Sequence, residues 1–134
     1  MRDDYRLNFF TDHDRKIMIF RVIGPMPGEE FVERLFESYA TVEAPWSFHR
    51  VMDFRRFEGL VDYAFIEEIA RRWSALCAGR GVRTKVALLS ADPLDKARIT
   101  AAAPMFPNET ILYFTDYQEA MAWIAAPDSA AASA

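Results

Sequence analysis

One segment, residues 49–73 (HRVMDFRRFEGLVDYAFIEEIARRW), constrains the fold of this chain most strongly. An apolar strand runs into Asp53, a short arginine-rich stretch follows, and an amphipathic helix begins near Asp62. In α/β proteins, ligands and partners usually dock where strands pass into helices. The segment holds carboxylates and arginines but no nucleophile, metal-ligand cluster or glycine-rich phosphate loop. It therefore predicts a binding region at a sheet edge without naming the ligand.

The hydrophobic pattern predicts further strands and helices along the chain. We expect strands over residues 5–11, 16–23, 48–54, 84–90 and 110–114, and helices over residues 27–39, 62–77, 93–103 and 116–126. The polar turn at residues 12–14 is short enough to join the first two strands as an antiparallel hairpin. Helices and strands alternate after it, which predicts one α/β domain over residues 1–126 with a mostly parallel sheet and right-handed crossovers.

The second predicted helix has one apolar face and one charged face. The inward positions are Ile66, Ile69, Trp73 and Leu76, and the outward ones are Glu67, Glu68, Arg71 and Arg72. Cys77 ends the apolar face and is expected to be an unreactive core residue. Because Cys77 is the single cysteine, no intramolecular disulfide can form.

Composition excludes several classes of protein. The net charge of −4 and the pI near 5.2 argue against a nucleic-acid-binding protein, which usually carries a basic excess. The N-terminal sequence MRDDYRLNFF has no signal-peptide pattern, and no apolar run is long enough to span a membrane. We expect a cytoplasmic protein, with a disordered tail over residues 127–134 (PDSAAASA).

Four stretches in this order resemble the SpoIIAA-like group, which is related to STAS domains and to CRAL-TRIO lipid-binding domains. They are the hairpin YRLNFF…KIMIFRVIGPM, the centre VMDFRRFEG, the strand KVALLS and the end ILYFTDYQEAMAWI. The resemblance covers nearly the whole chain. It implies a βα superhelix with an N-terminal hairpin, helices mainly on one sheet face, no cofactor and no catalytic chemistry.

Classical anti-sigma-factor antagonists with the STAS fold carry a phosphorylatable serine at the start of the helix that follows the third strand. The corresponding place in this sequence falls near Asp62 and Tyr63, and no Ser or Thr lies between Asp53 and Trp73. The resemblance therefore implies a regulatory module that lacks the classical phosphorylation switch.

Three candidate residues lie at the end of the third strand: Asp53 closes it, and Arg55 and Arg56 follow it directly. Asp53 could face a ligand in the crevice at the strand ends, but we favour a structural role in which it accepts N–H groups of residues 54–59. Arg55 and Arg56 could hold a phosphate or a partner's carboxylates, although solvated loop arginines are commoner.

Further polar candidates lie at the same sheet edge. Asp62 is expected to cap the second helix, with partial mimicry of a phosphate as the alternative. Ser90, Asp92, Thr115 and Asp116 follow the fourth and fifth strands. Together with Asp53, Asp92 and Asp116 place three aspartates at one edge that could bind Mg²⁺, but helix capping already explains Asp92 and Asp116, so no metal site is predicted.

Two functions from different classes remain open. The first is a non-enzymatic regulatory or protein-interaction module that docks through residues 55–62 and the helix after them. The second is a binder of lipid or another apolar small molecule; a large apolar cavity would favour it, whereas a filled core would favour the first.

The second strand carries apolar residues on both faces, Met18, Phe20 and Val22 against Ile17, Ile19 and Ile23. If the helices cover one face, a homodimer would bury the other. A helix crossing to that face, with residues 93–103 as the candidate, is the competing possibility.

Overall fold

A computed structural model describes residues 4–127 of the 134-residue chain. Its strands are β1 (Arg6–Asp12), β2 (Ile17–Gly24), β3 (His49–Phe57), β4 (Thr84–Leu89) and β5 (Glu109–Phe114). Its helices are α1 (Gly28–Ala40), α2 (Tyr63–Cys77), α3 (Leu94–Ala102) and α4 (Tyr117–Ala125). Short 3-10 turns cover Pro45–Ser47 and Ala103–Met105. Residues 128–134 of the tail predicted to be disordered lie outside the described residues.

The five strands form one sheet in the order β1-β2-β3-β4-β5. β1 pairs antiparallel with β2, and β2 to β5 are parallel to one another. The predicted hairpin and the mostly parallel sheet are therefore confirmed. Because the strand order follows the chain, the crossover helices α1, α2 and α3 share one face of the sheet.

The main core lies between that face and the helices α1 and α2. Met18, Phe20 and Val22 of β2 are fully buried there. α2 buries Ile69 and Trp73 and half-buries Ile66 and Leu76, so its predicted apolar face is confirmed. The helices approach closely where α1 begins, because a Cβ at Gly28 would lie 2.6 Å from the Phe65 ring.

A smaller core lies on the opposite face under α4. Ile17, Val51, Ala87 and Leu89 of the sheet pack there with Ala120 and Ile124 of the helix. Lys85 fixes the end of α4 by donating to the carbonyls of Trp123 (2.9 Å) and Ala126 (2.7 Å). Lysine at a helix C-terminus satisfies carbonyls that have no partner within the helix.

The structure corrects which helix crosses to that face. α3, the candidate proposed from the sequence, packs against β5 on the same side as α1 and α2, whereas α4 covers the opposite side. The reason is topological, since α3 connects neighbouring parallel strands, while α4 follows the last strand and is free to take the other face. α4 leaves the β1–β2 end of its face uncovered, where Phe10 is 59% exposed.

β3 is longer than predicted and ends at Phe57 instead of residue 54. The register with β2 shifts between Arg21 and Ile23, after which Ile23 pairs with Arg56 and Gly24 with Phe57. β3 has one extra residue at this bulge, and the pairing with β2 resumes beyond it. Arg55 and Arg56, predicted to lie in a loop, are therefore strand residues.

Within residues 4–127, no helix combines the length and the apolar character that crossing a bilayer requires.

Candidate functional site

A cavity of about 600 Å³ lies between the sheet and the helices α1, α2 and α3. Most of its wall is apolar and comes from all of these elements. Representative residues are Leu35, Met52, Ile69, Ile99, Phe106 and Ile111. A volume of this size falls within the range of small-molecule sites.

The sequence of α3 explains why the space stays open. Helix α3, LDKARITAA, buries one residue, Ile99, and its C-terminal end consists of two alanines, Ala101 and Ala102. Ala102 lines the cavity with a side chain too small to reach across it. Because α3 has so little apolar surface, it contacts mainly β5 and the following 3-10 turn, and space remains between α3 and α2.

The mouth of the cavity carries polar groups at the carboxyl ends of the strands. The Ser90 hydroxyl donates to Asp95 (2.5 Å) and accepts the N–H of Asp92 (3.0 Å). Arg98 donates to Asp92 (3.1 Å) and Asp95 (2.6 Å). The N–H of Leu94 and then Arg98 hold the pKa of Asp92 below its usual range. These contacts tie β4 to α3 and fix one side of the opening.

Asp53 lies on the opposite face of the sheet from the cavity. It is buried, and its carboxylate accepts the backbone N–H of Arg55 (3.1 Å), Nε of Arg55 (3.0 Å) and Nε of Arg21 (3.3 Å). Burial by itself raises the pKa of Asp53, but the hydrogen bonds and charges of Arg55 and Arg21 outweigh it and lower that pKa. Asp53 thus accepts a backbone N–H of residues 54–59, as the structural interpretation predicted.

The remaining predicted residues divide between the cavity and the outer surface. Ser90 and Asp92 lie in the cavity wall, and Arg56, Asp62 and Tyr63 lie outside it and are exposed. Arg55 borders the cavity, but its guanidinium binds Asp53 on the opposite face of the sheet. The structure therefore brings Ser90 and Asp92 together at the cavity and pairs Asp53 with Arg55 on the opposite face of the sheet.

The capping predictions need two corrections. Asp62 occupies the N-cap position of α2, but its side chain makes no capping hydrogen bond; its backbone carbonyl accepts the N–H groups of Phe65 and Ile66 instead. α3 begins at Leu94, and Asp92 binds the Leu94 N–H from one residue before the N-cap position, because Pro93 intervenes. Asp116 accepts the N–H of Glu119 and caps α4 as predicted.

A buried polar cluster at the inner end of the cavity was missed from the sequence. Arg50 lines the cavity, is 4% exposed, and donates from Nη1 to the hydroxyl of Tyr39 (2.8 Å). Its guanidinium lies 4.0 Å from the ring centre of Trp73. Burial opposes the charge of Arg50, but the oxygens of Tyr39 and Glu109 outweigh that effect and raise the pKa of Arg50.

Glu109 is the counter-ion of Arg50 in this cluster. Its Oε2 accepts the indole N–H of Trp73 (2.9 Å) and the hydroxyl of Thr84 (3.4 Å). Its Oε1 lies 3.1 Å from Nη2 of Arg50, close enough for an ion pair but too poorly aligned for a hydrogen bond. Nε of Arg50 has no hydrogen-bond partner within residues 4–127. The sequence contained a signal for this cluster. Arg50 lies on the same strand face as Met52 and Phe54, and a charged residue on an apolar, buried face needs a buried partner.

Among residues 4–127, no group of three or more His, Cys, Asp or Glu side chains is arranged to hold a metal ion. The three aspartates considered for Mg²⁺ each have other partners: Asp53 binds arginines, Asp92 binds Arg98 and a backbone N–H, and Asp116 caps α4.

These features define an α/β domain with a SpoIIAA-like fold and an apolar cavity on the face that carries three helices. The fold matches the crystal structure of an uncharacterised DUF3478-family protein with a SpoIIAA-like fold from Shewanella loihica PV-4. The TM-score is 0.60 at 16% sequence identity, and the match covers 92% of this chain and 98% of the other. The fold expected from the sequence is thereby confirmed. No protein-family model matches the chain, and the search of curated proteins finds no significant relative.

Proposed function

We propose that this domain acts by binding an elongated apolar small molecule in the cavity, without catalysing a reaction. The observation that carries the proposal is the cavity of about 600 Å³ with its mainly apolar wall. An apolar ligand of matching shape would remove this wall from water, and such burial contributes about 25 cal/mol per Å². A cytoplasmic location, expected from the sequence, belongs to the same proposal.

The polar groups at the mouth support binding without catalysis. Ser90 donates to Asp95, which is itself ion-paired with Arg98, and a carboxylate held by an arginine is a weak base for a serine proton. Both histidines lie elsewhere: His13 is exposed in the β1–β2 turn, and His49 is on the opposite sheet face, where it accepts the N–H of Lys85.

Blocking the cavity from α3 tests this function. Ala102→Phe places a ring where the alanine leaves space, and it should weaken the binding of a neutral apolar dye such as Nile red about tenfold or more. Ala101→Phe is the matched control, because Ala101 is the adjacent residue of the same helix, is exposed and does not line the cavity. The measurement is a fluorescence titration of both variants, with native mass spectrometry of the purified wild type to detect a bound molecule. Equal dye affinity in both variants, or no dye binding by the wild type, contradicts the proposal.

A protein-interaction module remains the second candidate, because two large side chains near the cavity mouth are exposed. Leu60 and Tyr63 are each 57% exposed in the segment that the sequence singled out for docking. Tyr63 does not line the cavity. Under this alternative, Tyr63→Glu removes a partner that cross-links to the wild type in cells and leaves dye affinity unchanged.

A further inference from the structure

Two phenylalanine rings, Phe54 and Phe57, lie next to each other in the cavity wall at the carboxyl end of β3. Regular alternation along a strand would place residues 54 and 57 on opposite faces of the sheet. The extra residue of β3 at the bulge returns Phe57 to the cavity face, where it pairs with Gly24 of β2. The bulge therefore adds a second aromatic ring at the mouth of the cavity.

These two rings continue a row of three that begins on α1. The ring centres of Phe31 and Phe54 lie 5.6 Å apart with an interplanar angle of 68°, and those of Phe54 and Phe57 lie 5.6 Å apart at 54°. Aromatic rings prefer such tilted contacts to a face-to-face sandwich. Phe31 is buried, whereas Phe54 and Phe57 are half-buried and line the cavity, so part of their surface remains open to a ligand.

The loop before α2 holds the outer ring in place. A Cβ at Gly59 would lie 2.9 Å from Cζ of Phe57 and 3.0 Å from the carbonyl oxygen of Met26, so only glycine allows the loop to approach this closely. A ring that is already fixed loses little conformational freedom when a ligand binds. Phe57 is therefore prepared to receive a ligand before the ligand arrives.

The inner part of the wall has a different character and is mainly aliphatic. Val86 of β4 pairs with Ile111 of β5, at the same level of the sheet as Arg50. Nε and Nη2 of Arg50 have almost no accessible surface, so they offer the ligand no free donor there. Phe106, from the 3-10 turn after α3, adds a separate ring to this part of the wall. The two ends of the cavity thus suit different groups of one molecule.

We infer that the ligand is an aromatic ring that carries an aliphatic chain, with the ring beside Phe54 and Phe57 and the chain directed toward Val86 and Ile111. This inference rests on the proposed function and adds the chemical class and the orientation of the ligand to it. A ring at this place makes ring–ring contacts that a saturated group of the same size cannot make. At about 30 Å³ for each water-sized group, the cavity admits on the order of twenty non-hydrogen atoms, which is enough for such a molecule.

The first experiment compares hexylbenzene with hexylcyclohexane on the full chain, by displacement of Nile red. The two molecules share one carbon skeleton and differ in whether the ring is aromatic. The preference is the ratio of their affinities divided by the ratio of their water-to-hexadecane partition coefficients, so that hydrophobicity itself cancels. On this measure the wild type should favour hexylbenzene about threefold to tenfold, the gain that ring–ring contacts supply beyond burial. The comparison needs no variant that could fail to fold.

Three variants locate the ring within the cavity. Phe54→Leu and Phe57→Leu each keep an apolar side chain and remove one ring of the row, so each should lower the preference about threefold. Phe106→Leu is the matched control, because it makes the same substitution in the inner wall of the same cavity and should leave the preference unchanged. Thermal unfolding of each variant shows whether it is folded.

The possible outcomes separate the inference from the proposed function. If Nile red binds and the wild type shows no preference for hexylbenzene, the inference is wrong and the apolar-ligand function stands. If Phe106→Leu removes the preference while the other two variants keep it, the ring lies at the inner end and the assigned orientation is wrong. If neither the dye nor either hydrocarbon binds, the proposed function itself fails.

Discussion

The buried Asp53 carboxylate accepts four hydrogen bonds. Its two oxygens accept from the Arg55 backbone, from two nitrogens of the Arg55 side chain and from Arg21. The carboxylate joins β2 to β3 beside the register shift, where the ladder is interrupted. We therefore expect Asp53 to contribute to stability through its charged form.

The lowered pKa of Asp53 predicts that its contribution to stability depends on pH. A carboxyl whose folded pKa lies below its unfolded value of about 3.9 stabilises the fold fully above that pH, and the contribution is lost as the pH falls through the folded pKa. Asp53→Asn should thus reduce the free energy of unfolding by about 1–3 kcal/mol at neutral pH, and by less near pH 3. Urea denaturation at both pH values provides the measurement.

Asp14→Asn is the control for general acid effects, because it makes the same substitution at an exposed position of the β1–β2 turn. If the difference between wild type and Asp53→Asn is the same at both pH values, the carboxylate charge does not stabilise the fold.

Trp73 connects the apolar core to the buried polar cluster. It is 2% exposed, its ring centre lies 4.7 Å from that of Tyr39, and its indole donates to Glu109. Trp73→Ala should reduce the free energy of unfolding by about 3–5 kcal/mol, as expected for truncation of a large buried side chain. Chemical denaturation measures the change.

Trp73→Phe separates packing from hydrogen bonding at the same position. It retains an aromatic ring but removes the donor to Glu109, so its cost should be smaller, about 1–3 kcal/mol. A loss below about 1 kcal/mol for Trp73→Ala would show that the burial of this side chain does not stabilise the protein.

At the scale of single residues, the sequence predicted the local bonds better than the long-range ones. The N–H bond to Asp53 and the cap at Asp116 join residues two or three positions apart. The pairing of Arg50 with Glu109 depends on β3, β4 and β5 being neighbours in register, since Glu109 lies opposite Thr84 and Arg50 opposite Val86. No local pattern contains that information.

At the scale of elements, periodicity predicted all five strands and all four helices, with ends that differ by a few residues. The extension of β3 to Phe57 follows from the register shift against β2, which a single strand's sequence does not encode. The hydrophobic pattern also did not predict the cavity, because the cavity depends on how far apart α2 and α3 lie on the sheet. In retrospect, the alanines of α3 were the signal for it.

At the scale of the whole molecule, α4 divides its face of the sheet into a covered and an uncovered part. The covered part lies over β3, β4 and β5 and extends to Ile17 of β2, against which Ile19 also packs, whereas the uncovered part includes Phe10 of β1 and Ile23 of β2. Ile19 and Ile23 are half-buried. The sequence predicted apolar residues on both faces of β2 and left open that one helix crosses to the second face, but it named residues 93–103 as that helix instead of α4.

We propose that a second copy of the chain covers the exposed part, so that the protein forms a homodimer through β1. Arg6, Asn8, Phe10 and Asp12 share the uncovered face of β1, because side chains alternate along a strand. A two-fold axis near the middle of the strand would place Arg6 of each copy beside Asp12 of the other and bring the two Phe10 rings close together. The patch is thus complementary to itself in charge and in apolar surface, as a two-fold interface requires.

Replacing the exposed aromatic residue with a charge tests the dimer. Phe10→Glu would place two carboxylates close together across the two-fold axis, so the variant should sediment as a monomer while the wild type sediments as a dimer at micromolar concentration. Leu94→Glu is the control, because Leu94 is also exposed (63%) but belongs to α3 on the opposite side of the sheet, and this variant should remain dimeric. A wild type that sediments as a monomer near 15.4 kDa would rule out the dimer. Phe10 would then be an isolated exposed side chain of the kind common on soluble monomers.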